Sequence, residues 1–149
     1  MRALLQRTTG AQVSVGEERV GAIGPGLVIL LGVGPLDDDA TAEGLSRRVA
    51  ELRIFRDPSS GRTDRSLLEV GGAALVISQF TLYADTGRGR RPGFTRAAAP
   101  DHAAACYAVF VTGLRALGVE VATGRFGAEM AVALSNDGPF TIWLDTDER

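Results

Sequence analysis

The sequence predicts an α/β fold, a single compact domain over residues 1–149 with a mixed, barrel-like β-sheet core and two main helices. Three observations lead there. At 149 residues, one core buries roughly 68–70% of the unfolded surface. The first and last thirds of the chain break into short apolar runs punctuated by glycine, the pattern of strands and turns. Two stretches between them repeat apolar residues at helical spacing.

The elements follow in order. Arg2 to Thr8, Gln12 to Val15 and Arg19 to Ile23 read as strands, with Gly16-Glu17 closing a tight hairpin. Leu27 to Val33 is apolar on both faces and belongs in the middle of the sheet. Asp37-Asp38-Asp39 opens the first helix as a solvated acidic start at the positive end of its dipole. Leu45, Val49 and Leu52 supply its apolar stripe. Ala73 to Leu82 reads as a second buried strand, and Gly87 to Gly93 breaks regular structure. Pro100-Asp101 starts the second helix, whose stripe is Cys106, Tyr107, Phe110, Val111, Leu114 and Leu117, with Gly118 ending it. Strands return at Val119 to Ala122, Met130 to Leu134 and Phe140 to Leu144, the last two separated by a turn over Ser135 to Pro139.

Composition removes several function classes. Hydrophobic residues at 45% and charged residues at 23% are globular proportions. The apolar stretch Leu27 to Leu31 is far shorter than the ~18–20 residues that cross a bilayer, and the N-terminus lacks the regions of a secretory signal. No membrane partner is expected, and the protein is expected to be soluble and intracellular. One cysteine makes no internal disulfide, and no Cys/His spacing suits zinc. All sixteen basic residues are arginine, which excludes a lysine base, a lysine Schiff base and a phosphate-loop lysine. His102 is the sole histidine, so any Ser-His pair must use it.

Most isolated candidates read as structure. Cys106 lies on a buried stripe, where free cysteine commonly packs. His102 sits at the start of a helix, where a surface or capping role suits it. Asp37 to Asp39 lacks the glycine and distal glutamate of a calcium loop. The stretch from Gly87 to Arg96 is more informative: Arg88, Arg90, Arg91 and Arg96 with no acid, on a chain of net charge −2. Such a cationic loop suits a polyanion, and the arginine fork matches phosphate. No recognition helix accompanies it, so DNA is not an expected partner.

Two strings are sharper. Ser78-Gln79-Phe80-Thr81-Leu82 ends a buried strand on three polar side chains, and Asn136-Asp137-Gly138-Pro139-Phe140-Thr141 puts glycine directly before proline. An X-Pro bond gives up only about 0.5–1 kcal/mol by going cis, and a glycine without Cβ lets its carbonyl approach a ligand closely. Together these strings resemble the motifs of the D-aminoacyl-tRNA deacylases, a family of homodimeric proofreading enzymes. Arg2-Ala3 through Gln6-Arg7, Leu52 to Phe55, Gly89-Arg90-Arg91-Pro92 and Thr123 to Ala128 match in family order along essentially the whole chain. Gly93 stands where serine is frequent, and Thr9-Gly10 where the family is often basic.

The resemblance implies hydrolysis of the ester between a D-amino acid and the terminal adenosine of tRNA, and removal of glycine from mischarged glycyl-tRNA(Ala), in the cytoplasm and without a cofactor or metal. It implies that Gly138-Pro139 is cis and enters the partner subunit's pocket, rejecting L-amino acids by collision. Ser78 and Gln79 would orient the ester and ribose, and backbone N–H groups at Phe80 and Thr81 would hold the oxyanion. Phe126 and Met130 would form the adenine pocket, and Arg88, Arg90 and Arg91 would contact the tRNA. Neither string supplies a side-chain base beyond Asp137, which favours assistance from the substrate's own 2′-hydroxyl. Two alternatives stand beside it: Thr81 as a nucleophile, and an RNA-binding protein without catalysis.

Overall fold

Strand β1 (Arg2–Val15) organises the molecule, because it is paired along both edges. The computed structural model describes residues 1–87 and 89–148. One edge of β1 carries β3 (Gly26–Gly32) against residues 2–8 and β2 (Glu18–Ile23) against residues 11–15. The other edge carries β8 (Ala131–Asp145), antiparallel to it from end to end. Beyond β3 the sheet continues in parallel through β6 (Ala73–Ser78) to β7 (Glu120–Thr123). It then curls until β2 meets β7: a Cβ placed on Gly21 would lie 2.6 Å from the Thr123 carbonyl oxygen. The mixed sheet is thereby nearly closed into a barrel, as the sequence predicts.

Three predicted boundaries shift, because pairing or a side-chain hydrogen bond overrides local composition. The turn expected over Ser135 to Pro139 is a bulge inside the continuous strand β8. Thr141 pairs with Gln6 and Asn136 with Thr8, so residues 137–140 all stand opposite Arg7 and are pushed out of the ladder. The break expected near Gly10 is likewise absent, since the buried Thr8 hydroxyl accepts from the Gly10 amide at 3.0 Å and carries β1 through. The strand expected over Ala73 to Leu82 stops at Ser78, the last residue in register with β3. A short pair, β4 (Phe55–Arg56) with β5 (Thr63–Arg65), also forms, flanking residues 57–62.

Helices α1 (Asp39–Glu51) and α3 (Pro100–Ala116) pack together over one face of the sheet, with α2 (Leu67–Val70) a single turn between them in sequence. Asp38 caps α1, its carboxylate accepting from the Thr41 amide at 2.8 Å. Asp37 is not part of a solvated start: it is buried, and its carboxylate accepts from the Met1 nitrogen and the Gly34 amide, each at 2.6 Å. Strand β3 is buried on both faces, as expected. Leu27, Ile29 and Leu31 join Phe110, Leu114, Leu45 and Val49 beneath the helices, while Val28 joins Val13, Leu75 and Ile77 in a second cluster. Among the described residues, no helix is long and apolar enough to cross a membrane.

Two glycines separate backbone geometry from space. Gly26 begins β3 so close to β6 that a Cβ would overlap the Ala73 backbone, whereas Gly44 is an exposed α1 residue with nothing near. Gly26→Ala should cost about 1–3 kcal/mol in urea unfolding, and Gly44→Ala should gain about 0.5–1 kcal/mol. Equal effects would contradict the close β3–β6 approach.

Candidate functional site

The polar string at the end of β6 is held in a 3₁₀ turn, Phe80–Tyr83. The Gln79 amide donates to the Leu31 carbonyl at 2.7 Å, and Leu82 and Ala84 amides return to the Gln79 and Thr81 carbonyls. The turn packs closely on Gly32: a Cβ there would lie 3.0 Å from the Gln79 carbonyl oxygen and 3.3 Å from Leu82 and Tyr83, so the turn would have to give by a few tenths of an ångström. Tyr83 is the buried anchor; burial first, then the nearby Asp37 charge, raise its phenol well above the ordinary range. The first N–H groups of such a turn, those of Phe80 and Thr81, have no acceptor within it.

Beside the turn lies a cavity of about 540 Å³. Ser78, Gln79 and the half-exposed Phe80 form its polar lip, and Leu31 and Ile77 lie deeper. Tyr107, Phe126 and Met130 form a further wall, with the Tyr107 and Phe126 rings edge to face at 5.8 Å. Phe94 meets Phe80 edge to face at 4.9 Å. The Tyr107 hydroxyl donates to the Val76 carbonyl at 2.7 Å, and burial pushes its pKa up to about 12. Among the described residues lining the cavity, no other side chain titrates: none is an acid, histidine, cysteine or arginine.

The structure therefore gathers five of the predicted residues, Ser78, Gln79, Phe80, Phe126 and Met130, around one cavity. Thr81 stands just outside it, exposed, its hydroxyl accepting from the Gln79 side-chain amide. Arg90 and Arg91 are exposed and outside the lining; Arg88 lies outside the described residues. Their loop is pinned at its base by paired backbone hydrogen bonds between Asp85 and Gly93, at 2.8 and 2.9 Å. His102 is engaged away from this cavity: its Nε2 lies 2.7 Å from the Asp37 carbonyl, and it is not among the lining residues. Cys106 is buried beside it, as expected, and burial raises its thiol pKa.

Gly138 and Pro139 are exposed on the β8 bulge and do not line the cavity of their own chain. Their peptide bond is cis, and Gly138 has φ +143°. What holds this bulge is a residue to which the sequence reading assigned no role. Arg7, 3% exposed, donates from Nε to the Asp137 carbonyl at 2.9 Å and from Nη1 to the Ile54 carbonyl at 2.7 Å. Its Nε is 3.4 Å from the Asp137 carboxylate, and its guanidinium lies 4.7 Å from the Phe140 ring centre. A signal was present: Ala3, Leu5 and Arg7 share one parity of β1, so alternation puts an arginine on the buried face. Tyr107 and Phe94 were missed as cavity residues for a different reason, since only the fold brings α3 and the arginine loop to β6.

Comparison with known proteins finds relatives along nearly the whole chain. A family model described as D-Tyr-tRNA(Tyr) deacylase matches residues 4–145. A D-aminoacyl-tRNA deacylase of Roseiflexus sp. (strain RS-1) is 61% identical over 146 residues, covering 98% of this chain and 94% of that protein. One of Symbiobacterium thermophilum is 55% identical over 148 residues, covering 99% and 97%. Among solved structures, a c-Myc DNA Unwinding Element Binding Protein superposes with a TM-score of 0.91 at 36% identity, covering 98% of this chain and 99% of that one. A probable eukaryotic D-amino acid tRNA deacylase shares the fold, with a TM-score of 0.84 at 20% identity.

The cavity wall makes its own prediction. A phenol that burial keeps neutral holds its proton more tightly folded than unfolded, so its contribution is complete below about pH 10 and is lost as pH rises toward about 12. Unfolding free energy should fall across that window, and Tyr107→Phe should flatten part of the fall. An equally steep decline in the variant would show that Tyr107 titrates normally.

Proposed function

The chain belongs to the D-Tyr-tRNA(Tyr) deacylase family, and from that premise we propose a tRNA-editing hydrolase that cleaves the ester of D-aminoacyl-tRNA at the cavity beside the Ser78–Thr81 turn. The products are the free D-amino acid and tRNA. One observation carries this reading: the cavity offers a polar lip and backbone donors but, among the described residues, no side chain able to act as a base near neutral pH. Side-chain nucleophiles need such a base within hydrogen-bond reach. Thr81 has only the Gln79 amide, a donor that occupies its oxygen.

The chemistry then falls to the main chain and the substrate. The 2′-hydroxyl of the terminal adenosine assists attack on the ester, and the N–H groups of Phe80 and Thr81 stabilise the developing oxyanion, a contribution of about 10²–10³ in rate per donor. Ser78 and Gln79 orient the ester and ribose, while Phe126, Met130 and Tyr107 receive the adenine ring. No cofactor takes part.

Selection by handedness falls to Gly138 and Pro139. Two chains pair as a homodimer, and the main-chain atoms of these residues from one subunit stand in the cavity of the other. There they collide with the side chain of an L-amino acid and leave a D-amino acid untouched. Their exposure, their absence from their own chain's cavity and the grip of Arg7 on Asp137 support this. Glycine has no side chain to collide, so glycyl-tRNA(Ala) is also deacylated. Arg88, Arg90 and Arg91 hold tRNA phosphates in the cytoplasm.

One tRNA charged in turn with a D-amino acid, its L-enantiomer and glycine tests the reading. D-aminoacyl and glycyl esters should be cleaved and the L-ester spared by about 10⁴-fold, equivalent to about 5.5 kcal/mol. A terminal 2′-deoxyadenosine should slow turnover at least about 100-fold, with Thr81→Ala remaining within a few-fold of the parent. Undiminished turnover of the deoxy substrate, or an acyl group trapped on Thr81, would overturn the mechanism.

A further inference from the structure

Arg2, the first residue of β1, makes contacts that its place in a β-ladder does not require. It pairs in register with Asp145 of β8, and its Nε donates to the Asp145 carboxylate at 2.8 Å. The rest of the guanidinium leaves the ladder. Nη1 donates to the Leu82 carbonyl at 2.9 Å, inside the 3₁₀ turn. The guanidinium carbon lies 4.4 Å from the Tyr83 ring centre and 5.6 Å from that of Trp143. Asp145 is nearly buried, so one prong of the fork is fixed to a rigid strand. The other prong and the flat face hold the two final residues of the turn.

Leu82 is a sensitive place to hold. Its amide donates to the Gln79 carbonyl, so the grip on its carbonyl passes directly to Gln79 and to the two residues between them, Phe80 and Thr81. We propose that Arg2 is a positioning residue for deacylation: through Leu82 and Tyr83 it fixes the 3₁₀ turn, so that the Gln79 side chain and the Phe80 and Thr81 N–H groups face the reacting ester. The inference rests on the reading of that turn as the catalytic element. Arg2 is not among the residues lining the cavity; its effect is on geometry. Lysine cannot replace it, because a single ammonium lacks both the fork and the flat face that stacks on Tyr83.

The test compares Arg2→Lys, Arg2→Met and Gln79→Ala on D-aminoacyl-tRNA. Misplacing donors costs turnover rather than binding, so Arg2→Lys should lower kcat by about 10–100-fold and leave KM within about 2-fold. Hydrogen exchange should accelerate at the amides of residues 80–84 while those of residues 3–7 keep their protection. The preference for D over L esters should be retained, since Arg7 is untouched. If Arg2→Met does not fold, Arg2→Lys carries the comparison. Unchanged kcat in the folded Arg2 variants overturns the proposal, as does a loss of kcat accompanied by faster exchange throughout β1. Full turnover in Gln79→Ala removes the catalytic reading of the turn and the role of Arg2 with it; loss in Gln79→Ala with wild-type kcat in Arg2→Lys removes the role of Arg2 alone.

Discussion

A guanidinium buried on the middle strand is the constraint from which the rest of the site follows. Arg7 stands opposite four bulged residues of β8, and without matched acceptors its charge would be costly to bury. The Ile54 and Asp137 carbonyls, the Asp137 carboxylate and the Phe140 ring supply that match. The same contacts explain why the bulge has a defined shape despite its exposure. Arg2, five residues earlier on β1, reaches the 3₁₀ turn in the same manner. Both segments to which a function is proposed are thus tied to one strand that is itself paired on both edges. In a chain without lysine, each tie uses a fork that grips two oxygen acceptors at once.

The cavity's chemistry complements this rigidity. Apolar walls such as Leu31, Ile77, Phe126 and Met130 lower the local dielectric, strengthening any interaction with the donors at the cavity's lip. Its one titratable wall residue, Tyr107, is held neutral and already donates to Val76. The proposed division of labour follows: the protein supplies fixed dipoles and shape, and the nucleic acid supplies the hydroxyl that assists attack. Dipoles stabilise developing charge best when they need not reorganise, so in the proposed mechanism the anchoring of the turn by Gly32, Tyr83 and Arg2 would bear on rate.

Much of this was legible in the sequence, and the unread part has identifiable causes. Strand β3 declared itself by being apolar on both faces, and α3 by its Cys106–Phe110–Leu114 stripe, because burial writes directly into hydrophobic pattern. Ser78, Gln79 and Thr81 stood out as polar residues ending a buried strand, with Phe80 among them. The β8 bulge was read as a turn because Asn, Asp, Gly and Pro carry the same local signal in both; only pairing of its two arms with one partner distinguishes them. Asp37 was read as solvated because its partner, the Met1 nitrogen, is thirty-six positions away in the chain. Arg7 was legible by parity, but its acceptors on Ile54 and Asp137 were not, since they come from long-range packing.

In the proposed enzyme, handedness is judged by the main chain of one subunit inside the cavity of the other. Mixing two disabled chains tests it most directly: one carrying Gln79→Ala, with an intact bulge, and one carrying Gly138→Trp, with an intact cavity. In a two-fold pair the same patches meet reciprocally, so a mixed dimer contains one site made of two sound halves. The account predicts that D-selective turnover, absent from either variant alone, returns when the two are unfolded and refolded together. Turnover no greater than the sum of the separate variants, or a Gly138→Trp homodimer that still cleaves D and spares L, would contradict it.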